Sequence, residues 1–519
     1  MRYNIVDLFF LEYGYDFGFD KRGRNYMKLG FDNDKYNRLQ TEKILDRISH
    51  FGGKLYLEFG GKLFDDYHAS RVLPGFRPDS KINMLMQLKE QAEIVIVVSA
   101  AAIEQNKMRA DLGITYDMDA LRLVDAFRER GLYVGSIVIT QYAGQPSADA
   151  FIKRLGELGI RVFRHYPIPG YPTNIRTILS ADGYGKNEYI ETERSLIVVT
   201  APGPGSGKMA TCLSQLYHDN LRGLKSGYAK FETFPIWNLS ISHPVNIAYE
   251  AATVDLGDVN MIDPFHLEAY GETTVNYNRD IEIFPVLRQL FEGIYGKCPY
   301  KSPTDMGVNM AGYCIYDDKA VSEAAGMEII RRYYDCLVKK TKGTIGVDTI
   351  YKAELLMNRA GLTVNDRKTV PAALDKAAAT DGPCAAIELE DGTIVTGKTS
   401  DLLGASAAVL LNALKVYAGI PDEIHMIAPS IIEPICRLKT EHLGCHNPRL
   451  HADEVLIALS ICAADNENAR RALDCLPRLM NCEAHSTVIV SHVDAETFRK
   501  LGIRLTCEPI YGTKKLFHR

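Results

Sequence analysis

A glycine-rich segment joins a predicted strand to a predicted helix and is the part of the sequence best suited to bind an anion. The apolar run Leu196–Val199 leads into this segment, and Lys208 follows it at the start of the helix. Glycines let several backbone N–H groups converge on one anion, while the helix N-terminus and the lysine add positive charge. The predicted phosphate-binding residues are Gly203, Gly205, Ser206, Gly207, Lys208 and Thr211.

The segment follows the P-loop pattern with two departures. That pattern is GxxxxGK followed by Ser or Thr, whose hydroxyl binds magnesium. Here Pro202 occupies the first glycine position and Met209 the hydroxyl position. Phosphate binding is our leading interpretation, and a nucleoside triphosphate as phosphate donor is a further hypothesis. The alternative is a tight strand-to-helix turn with an exposed lysine.

Acidic residues downstream of the loop are candidate magnesium ligands. Residues Val259–Asp263 are predicted to form a strand that ends in a carboxylate. Asp263, or Asp255 shortly before it, could hold magnesium against bound phosphates. The alternative is a solvated loop without a ligand.

Four further residues are predicted to be catalytic together with Lys208. Lys230 and Glu232 lie two residues apart in an extended segment, so their side chains share one face. His243 and Arg279 follow in a stretch rich in Asn, His, Glu and Tyr, a composition typical of a polar cleft. We expect these residues to position the acceptor or to act as acid and base. For each of these four residues considered alone, the alternative to a catalytic role is a purely structural role.

Predicted strands alternate with predicted helices through the first part of the chain. The strands are Lys54–Phe59, Glu93–Ser99, Tyr133–Thr140 and Arg161–Arg164, and the helices are Lys81–Gln91, Asp119–Arg130 and Ala148–Leu158. This alternation is typical of an α/β fold with a largely parallel sheet covered by helices.

The length of 519 residues exceeds what one hydrophobic core usually supports, so several domains are expected. We predict an N-terminal extension over residues 1–26, with Met27 as a natural start. An N-terminal α/β domain follows over 27–185, and an α/β region with the glycine-rich loop over 186–320. A helical segment covers 321–380, and a C-terminal α/β domain covers 381–519.

The C-terminal domain is similar to the cytidine-deaminase-like fold. Its elements are a hairpin over Ala385–Gly397 with its turn at Asp391 and Gly392, a helix over Gly404–Ala418, and a strand over Glu423–Ala428. That family holds zinc with a Cys or His at the start of the helix and a later Pro-Cys-x-x-Cys. Here these places hold Gly404–Ala407 and Pro434–Cys436. Such a site needs three protein ligands, so we expect the fold without zinc.

Composition limits the classes of partner. The net charge of −5 and the lack of a basic block disfavour nucleic-acid binding. No apolar run reaches the roughly twenty residues that cross a bilayer. The eleven scattered cysteines, an odd number without a CxxC pair, predict reduced thiols in the cytoplasm. A homo-oligomer is expected, since most oligomers of soluble proteins are of this kind.

From Met27 onward the chain resembles the UPF-0371 family of uncharacterised bacterial proteins. The segments that carry the resemblance are Leu57–Lys62, Tyr67–Gly75, Arg109–Tyr116, Gly203–Lys208, Lys230–Trp237 and Lys301–Asn309. Residues 1–26 depart from the family's usual start. The resemblance implies an α/β assembly with a helical piece and a deaminase-like C-terminal part. It implies no agreed reaction.

The leading functional hypothesis is an enzyme that binds a nucleotide or phosphorylated small molecule on the glycine-rich loop. Magnesium-assisted phosphoryl or nucleotidyl transfer is the expected reaction, with phosphate charge stabilised by Lys208 and the loop amides. A metal-independent transferase or isomerase of a sugar phosphate is the alternative that Met209 favours. A third hypothesis is a nucleotide-binding sensor or scaffold without catalysis.

Overall fold

The computed structural model describes residues 29–64, 66–109 and 112–512. The N-terminal extension expected over residues 1–26 lies outside these ranges. The described chain divides into two compact units. The large-sheet unit contains Leu29–Tyr249 and Asp258–Ser322, and the C-terminal unit contains residues 250–257 and 323–512.

The large-sheet unit alternates strands with helices, as predicted. Its strands are β1 (Leu55–Phe59), β2 (Ala92–Ser99), β3 (Met108–Arg109), β4 (Ile114–Thr115), β5 (Tyr133–Thr140), β6 (Val162–Arg164), β7 (Leu196–Thr200), β8 (Gly227–Phe231), β9 (Asn260–Ile262), β10 (Val275–Tyr277) and β11 (Gly307–Val308). Its helices are α1 (Asn33–His50), α2 (Tyr67–Val72), α3 (Ser80–Gln87), α4 (Ala100–Glu104), α5 (Tyr116–Glu129), α6 (Pro146–Glu157), α7 (Ile175–Ile178), α8 (Lys208–Leu221), α9 (Pro244–Ala252), which ends in the other unit, α10 (Pro264–Tyr270), α11 (Asn278–Tyr295) and α12 (Pro303–Met306).

Seven of these strands form one sheet in the order β11-β8-β1-β7-β2-β5-β6. All neighbouring strands are parallel, which confirms the largely parallel sheet predicted from the sequence. Strand β7 comes late in the chain but lies between β1 and β2. The segments 27–185 and 186–320 therefore contribute strands to the same sheet.

One face of this sheet is covered by α8 and α11. The buried residues of this layer include Tyr56, Val97, Val199 and Tyr228 from the strands, Cys212 and Leu216 from α8, and Phe284 and Phe291 from α11. Burial of apolar area at about 25 cal/mol per Å² is the main force that fixes these helices on the sheet. This packing places the N-terminus of α8 directly after β7, with the glycine-rich loop as the only connection.

The C-terminal unit combines helices with a four-stranded sheet. Its helices are α13 (Asp318–Thr341), which begins in the other unit, α14 (Val347–Arg359), α15 (Thr369–Thr380), α16 (Ala405–Ala418), α17 (Pro429–Arg437), α18 (Ala452–Cys462), α19 (Glu467–Leu473) and α20 (His492–Lys500). Its strands are β12 (Cys384–Glu388), β13 (Ile394–Lys398), β14 (Glu483–Ser486) and β15 (Arg504–Cys507), in the order β13-β12-β14-β15. The predicted helical segment, the hairpin and the helix after it are confirmed.

The strand predicted over Glu423–Ala428 is wrong. This segment forms a turn that leads into α17. Met426 and Ile427 are buried against the core of the unit, so their apolar side chains reflect packing and not membership of a sheet. The carbonyl of Met426 accepts a hydrogen bond of 3.3 Å from Nδ2 of Asn466, and no described strand pairs with the segment.

Two glycines with similar backbone conformations allow a test of this fold. Gly75 has φ +110°, and an added Cβ would lie 2.2 Å from the carbonyl oxygen of Phe31. Gly53 has φ +105°, but its Cβ would meet nothing within 4 Å. Both Gly→Ala changes carry the cost of positive φ, about 1–2 kcal/mol. We expect Gly75→Ala to lower the free energy of unfolding by about 1–3 kcal/mol more than Gly53→Ala, measured by urea denaturation. Equal losses would contradict the close approach at Gly75.

Candidate functional site

The carboxyl ends of β7, β1 and β8 meet at the part of the sheet where the chain changes direction. From β1 the chain proceeds towards β2, whereas the crossover from β7 to β8 passes to the other side of β1. In open parallel sheets, ligands bind beyond the carboxyl ends of the strands at such a switch point. The glycine-rich loop follows β7 at this edge, and Lys230 and Glu232 lie at the end of β8.

The backbone of the glycine-rich loop is held by hydrogen bonds to its own residues and to a neighbouring strand. The hydroxyl of Thr140, at the end of β5, donates to the carbonyl of Ser206 at 2.7 Å. Ser206 Oγ in turn donates to the carbonyl of Gly203 at 2.9 Å. Gly205 and Gly207 have φ values of +77° and +91°, which glycine adopts without strain. A Cβ on Gly205 would meet no atom within 4 Å, so this side of the loop is open.

The first turn of α8 contains no negative charge of its own. Its N-cap is Gly207, which provides no side-chain acceptor, and its first turn contains no acidic residue. The N–H groups of a first helical turn lack intrahelical acceptors and carry partial positive charge. Lys208 begins this turn. Thr211 is buried, and its hydroxyl donates to the carbonyl of Gly207 at 3.0 Å, so it supports the helix backbone.

A buried ionic cluster occupies the end of β8. Lys230 Nζ lies 2.7 Å from Glu232 Oε1 and also contacts Asp280 Oδ2 and the hydroxyl of Tyr277. Tyr277 donates to Glu232 Oε1 at 3.0 Å. The exposed fractions of Lys230, Glu232 and Asp280 are 6%, 6% and 5%. The structure thus brings together Lys230 and Glu232, as the shared face of their segment predicted.

This cluster alters the acidity of its members. Burial raises the pKa of Glu232 to about 7, an effect that Asp280 increases and Lys230 opposes. Burial disfavours the charged form of Lys230, but Asp280 and then Glu232 outweigh it and hold the pKa of Lys230 well above its usual value. A carboxyl group that titrates near neutral pH can both accept and donate a proton, which is the property required for general acid–base catalysis.

Asp280, Tyr277 and Glu58 belong to the same edge but are absent from the residues predicted to be functional. Asp280 and Tyr277 flank the junction of β10 and α11. Glu58 lies beside Lys230 in the register of β1 and β8, and its Oε2 accepts a hydrogen bond of 2.7 Å from Tyr228. A Tyr and an Asp three residues apart at a helix start are a weak signal, and only the three-dimensional structure shows that both contact Lys230.

Two adjoining segments of the chain match the two halves of one protein family. Residues 29–361 match the family model described as "Domain of unknown function DUF1846, N-terminal", and residues 365–517 match its C-terminal counterpart. The chain belongs to the DUF1846 family. A UPF0371 protein of Streptococcus pneumoniae serotype 19F (strain G54) is 57% identical over 95% of this chain and 100% of its own length. A UPF0371 protein of Corynebacterium aurimucosum is 58% identical over 95% of this chain and 99% of its own length.

The remaining predicted residues of this DUF1846 family member make contacts of their own. His243 precedes α9, where its Nε2 lies 3.0 Å from Asp318 Oδ1 and its Nδ1 accepts from the N–H of Val245. Arg279 pairs with Asp258 at 2.6 Å, and its side chain is 55% exposed. The guanidinium of Arg279 also lies 5.9 Å from the centre of the Tyr277 ring, so Arg279 borders the cluster, whereas these contacts of His243 do not reach it.

The two predicted magnesium ligands lie in different units. Asp263 caps α10, since its Oδ1 accepts from the N–H groups of Phe265 and His266. Its Oδ2 accepts from both the N–H and the hydroxyl of Thr304. Asp255 is exposed in the C-terminal unit. Within the described ranges, no group of three His, Cys, Asp or Glu side chains is arranged to hold a metal ion.

None of the helices in the described part of the chain is both long and apolar enough to cross a membrane.

Proposed function

We propose that this chain is an enzyme acting on a phosphorylated small molecule or nucleotide, and that it is a metal-independent transferase or isomerase. The phosphate binds to the loop amides and Lys208, and the reacting part of the substrate lies beside Lys230 and Glu232. The observation that carries the proposal is the buried Lys230–Glu232–Asp280 cluster, one strand away from the open loop.

The spacing of the two parts suits a small substrate. Strands β7 and β8 both flank β1, and neighbouring strands lie about 4.8 Å apart, so their carboxyl ends are separated by about 10 Å. That distance matches the length of a phosphorylated metabolite of a few carbon atoms. Such a substrate reaches the acid–base pair while its phosphate remains on the loop.

The chemistry of the cluster supports proton transfer more directly than phosphoryl transfer. Glu232 titrates near neutral pH, which is the condition under which a carboxyl group serves as both base and acid. Lys230 remains protonated and would stabilise negative charge that develops on the substrate. Both groups are buried, which strengthens these interactions.

Magnesium-assisted phosphoryl or nucleotidyl transfer is the second candidate. The P-loop-like arrangement of an open glycine loop, Lys208 and the start of α8 favours it. Both oxygens of Asp263 already accept hydrogen bonds, one from backbone N–H groups and the other from Thr304. These hydrogen bonds disfavour Asp263 as the metal ligand. Magnesium is commonly held by one or two carboxylates together with substrate phosphates, so a magnesium dependence separates the two candidates.

Three further features of the chain enter the proposal. The strand order β13-β12-β14-β15, with an antiparallel β12–β13 hairpin, supports a deaminase-like C-terminal domain without zinc. The eleven free cysteines support a reducing, cytoplasmic location. A homo-oligomer stays a prediction that light scattering would test.

A ligand screen by thermal shift tests the proposal. Wild type and Lys208→Ala would be heated with inorganic phosphate, ribose 5-phosphate, AMP and ATP, with and without magnesium. We expect a magnesium-independent rise in Tm with a phosphorylated ligand, corresponding to about 2.7 kcal/mol at a hundred times its Kd, and its loss in Lys208→Ala.

The matched control is Lys225→Ala, which removes an exposed lysine after the far end of α8 and should keep the shift. A shift by ATP alone that requires magnesium would favour phosphoryl transfer. If no phosphate shifts the wild type, the loop is a structural turn. A ligand that binds and is recovered unchanged would indicate a sensor or scaffold.

A further inference from the structure

Glu58 is a buried carboxylate between the two parts of the proposed site. It is 8% exposed and lies near the carboxyl end of β1, the strand between β7 and β8. Its register partners are Val199, just before the glycine-rich loop, and Lys230. Because residues in register on parallel strands point to the same face, the side chain of Glu58 lies on the side of Lys230 and α8.

One oxygen of this carboxylate is unused. Oε2 accepts the hydrogen bond from Tyr228, whereas Oε1 has no hydrogen-bond partner among the residues that the structure describes. Lys230 is already paired with Glu232 and Asp280, and its nearest contacts do not include Glu58. Glu58 Oε1 is not among the fully buried side-chain oxygens that lack a partner, so this oxygen remains accessible and can accept a hydrogen bond from a group outside the chain.

The charge of Glu58 acts on several groups around it. Burial raises the pKa of the Cys212 thiol well above its usual value, and Glu58 adds to this while Lys208 opposes it. Burial and then Glu58 raise the pKa of Tyr228 in the same way. The pKa of Tyr171 is raised by burial and, to a smaller degree, by Glu58. Glu58 therefore lies among residues of β8, α8 and the loop that contains Tyr171.

We propose that Glu58 Oε1 accepts a hydrogen bond from a hydroxyl group of the ligand, and that the substrate class is a sugar phosphate, either free or as the ribosyl phosphate of a nucleotide. This inference rests on the proposed function. A neutral hydroxyl donor fits better than an ammonium group, because Lys230 lies in register with Glu58 and Lys208 begins the helix over the same face, and both would repel a cation.

Isothermal titration calorimetry with four ligands tests the inference. The ligands are inorganic phosphate, n-pentyl phosphate, ribose 5-phosphate and AMP. All four contain a phosphate group, but only ribose 5-phosphate and AMP also contain sugar hydroxyl groups. We expect the wild type to bind the two ribose compounds about ten- to a hundredfold more tightly than pentyl phosphate, since a hydrogen bond to a charged group has this effect. A preference for AMP over ribose 5-phosphate would identify the nucleotide as the source of the ribose, and the reverse would identify the free sugar phosphate.

Glu58→Gln should remove most of this preference, measured as the ratio of the affinities for ribose 5-phosphate and n-pentyl phosphate. Tyr228→Phe, which removes the hydrogen bond that orients Glu58, should reduce the preference by a smaller factor. The control is Glu93→Gln, the same change of a buried carboxylate at the amino end of β2, away from the carboxyl ends of the strands, which should keep the preference.

The outcomes separate this inference from the proposed function. Equal binding of pentyl phosphate and the ribose compounds by the wild type would overturn the inference and leave phosphate binding intact. A full preference retained in Glu58→Gln, shown by circular dichroism to be folded, would also overturn it. Failure of all four ligands to bind would overturn the proposed function and this inference together.

Discussion

Lys230→Met should lower the free energy of unfolding by about 3–5 kcal/mol at pH 8, the usual cost of removing one partner from a buried ion pair. Lys230 contacts two buried carboxylates, those of Glu232 and Asp280. Methionine has a similar length but no charge, so the two carboxylates would remain side by side without compensation. The expected loss is therefore electrostatic and not a consequence of lost volume.

The loss should be smaller at low pH. Without Lys230 the two carboxyl groups bind protons more readily, and a protonated pair no longer repels itself. We expect the difference between wild type and variant to shrink from pH 8 to pH 5, as followed by urea denaturation with circular dichroism. Adding Asp280→Asn to Lys230→Met should recover part of the loss, because contacting residues are not additive.

Lys225→Met is the control for this experiment, since Lys225 is exposed. Exposed substitutions usually change the free energy of unfolding by less than about 0.5 kcal/mol. A Lys230→Met variant as stable as this control at both pH values would show that the cluster has no energetic role.

Five of the seven strands of the large sheet, β1, β2, β5, β6 and β7, were predicted from apolar runs in the sequence, whereas β8 and β11 were not predicted as strands. Tyr133–Thr140 is identical in the prediction and in β5, and Glu93–Ser99 differs from β2 by one residue. The position of β7 between β1 and β2 was not predictable in this way. Pairing between strands distant in sequence depends on which faces pack together, and a local pattern of apolar residues contains no information about it.

In the candidate site, too, the features that depend on neighbouring residues in the sequence could be predicted, and the contacts between distant segments could not. The loop at Gly203–Lys208 and the shared face of Lys230 and Glu232 follow from spacing in the sequence, and the structure places both at one edge of the sheet. The contact of Asp280 with Lys230 joins separate elements and has no local signal. For Asp263 a local signal existed, since Asp followed by Pro264 is typical of a helix N-cap.

Glu232→Gln should make the folded state more stable at pH 8 while removing activity. The pKa of Glu232 is about 7 in the folded chain, against an ordinary value of 4.5. Between these values the folded state retains a proton that the unfolded state has released, so rising pH lowers stability. The wild type should therefore lose stability from about pH 4.5, with the loss complete above about pH 7. The size is on the order of 3 kcal/mol, since one pKa unit corresponds to about 1.4 kcal/mol.

Glutamine is neutral at every pH, so this slope should be absent from the variant, and the two stability curves should meet near pH 5 and separate towards pH 8. Glutamine cannot transfer a proton, so turnover of the ligand that stabilises the wild type, followed by phosphorus NMR, should fall by about 10²–10⁴-fold. A purely structural carboxylate gives the stability change without the loss of turnover. A variant with full turnover would thus contradict the acid–base role, and one with the wild-type pH slope would contradict the raised pKa. A residue whose removal stabilises the fold and abolishes turnover is retained for chemistry, which is the relation expected of a catalytic group.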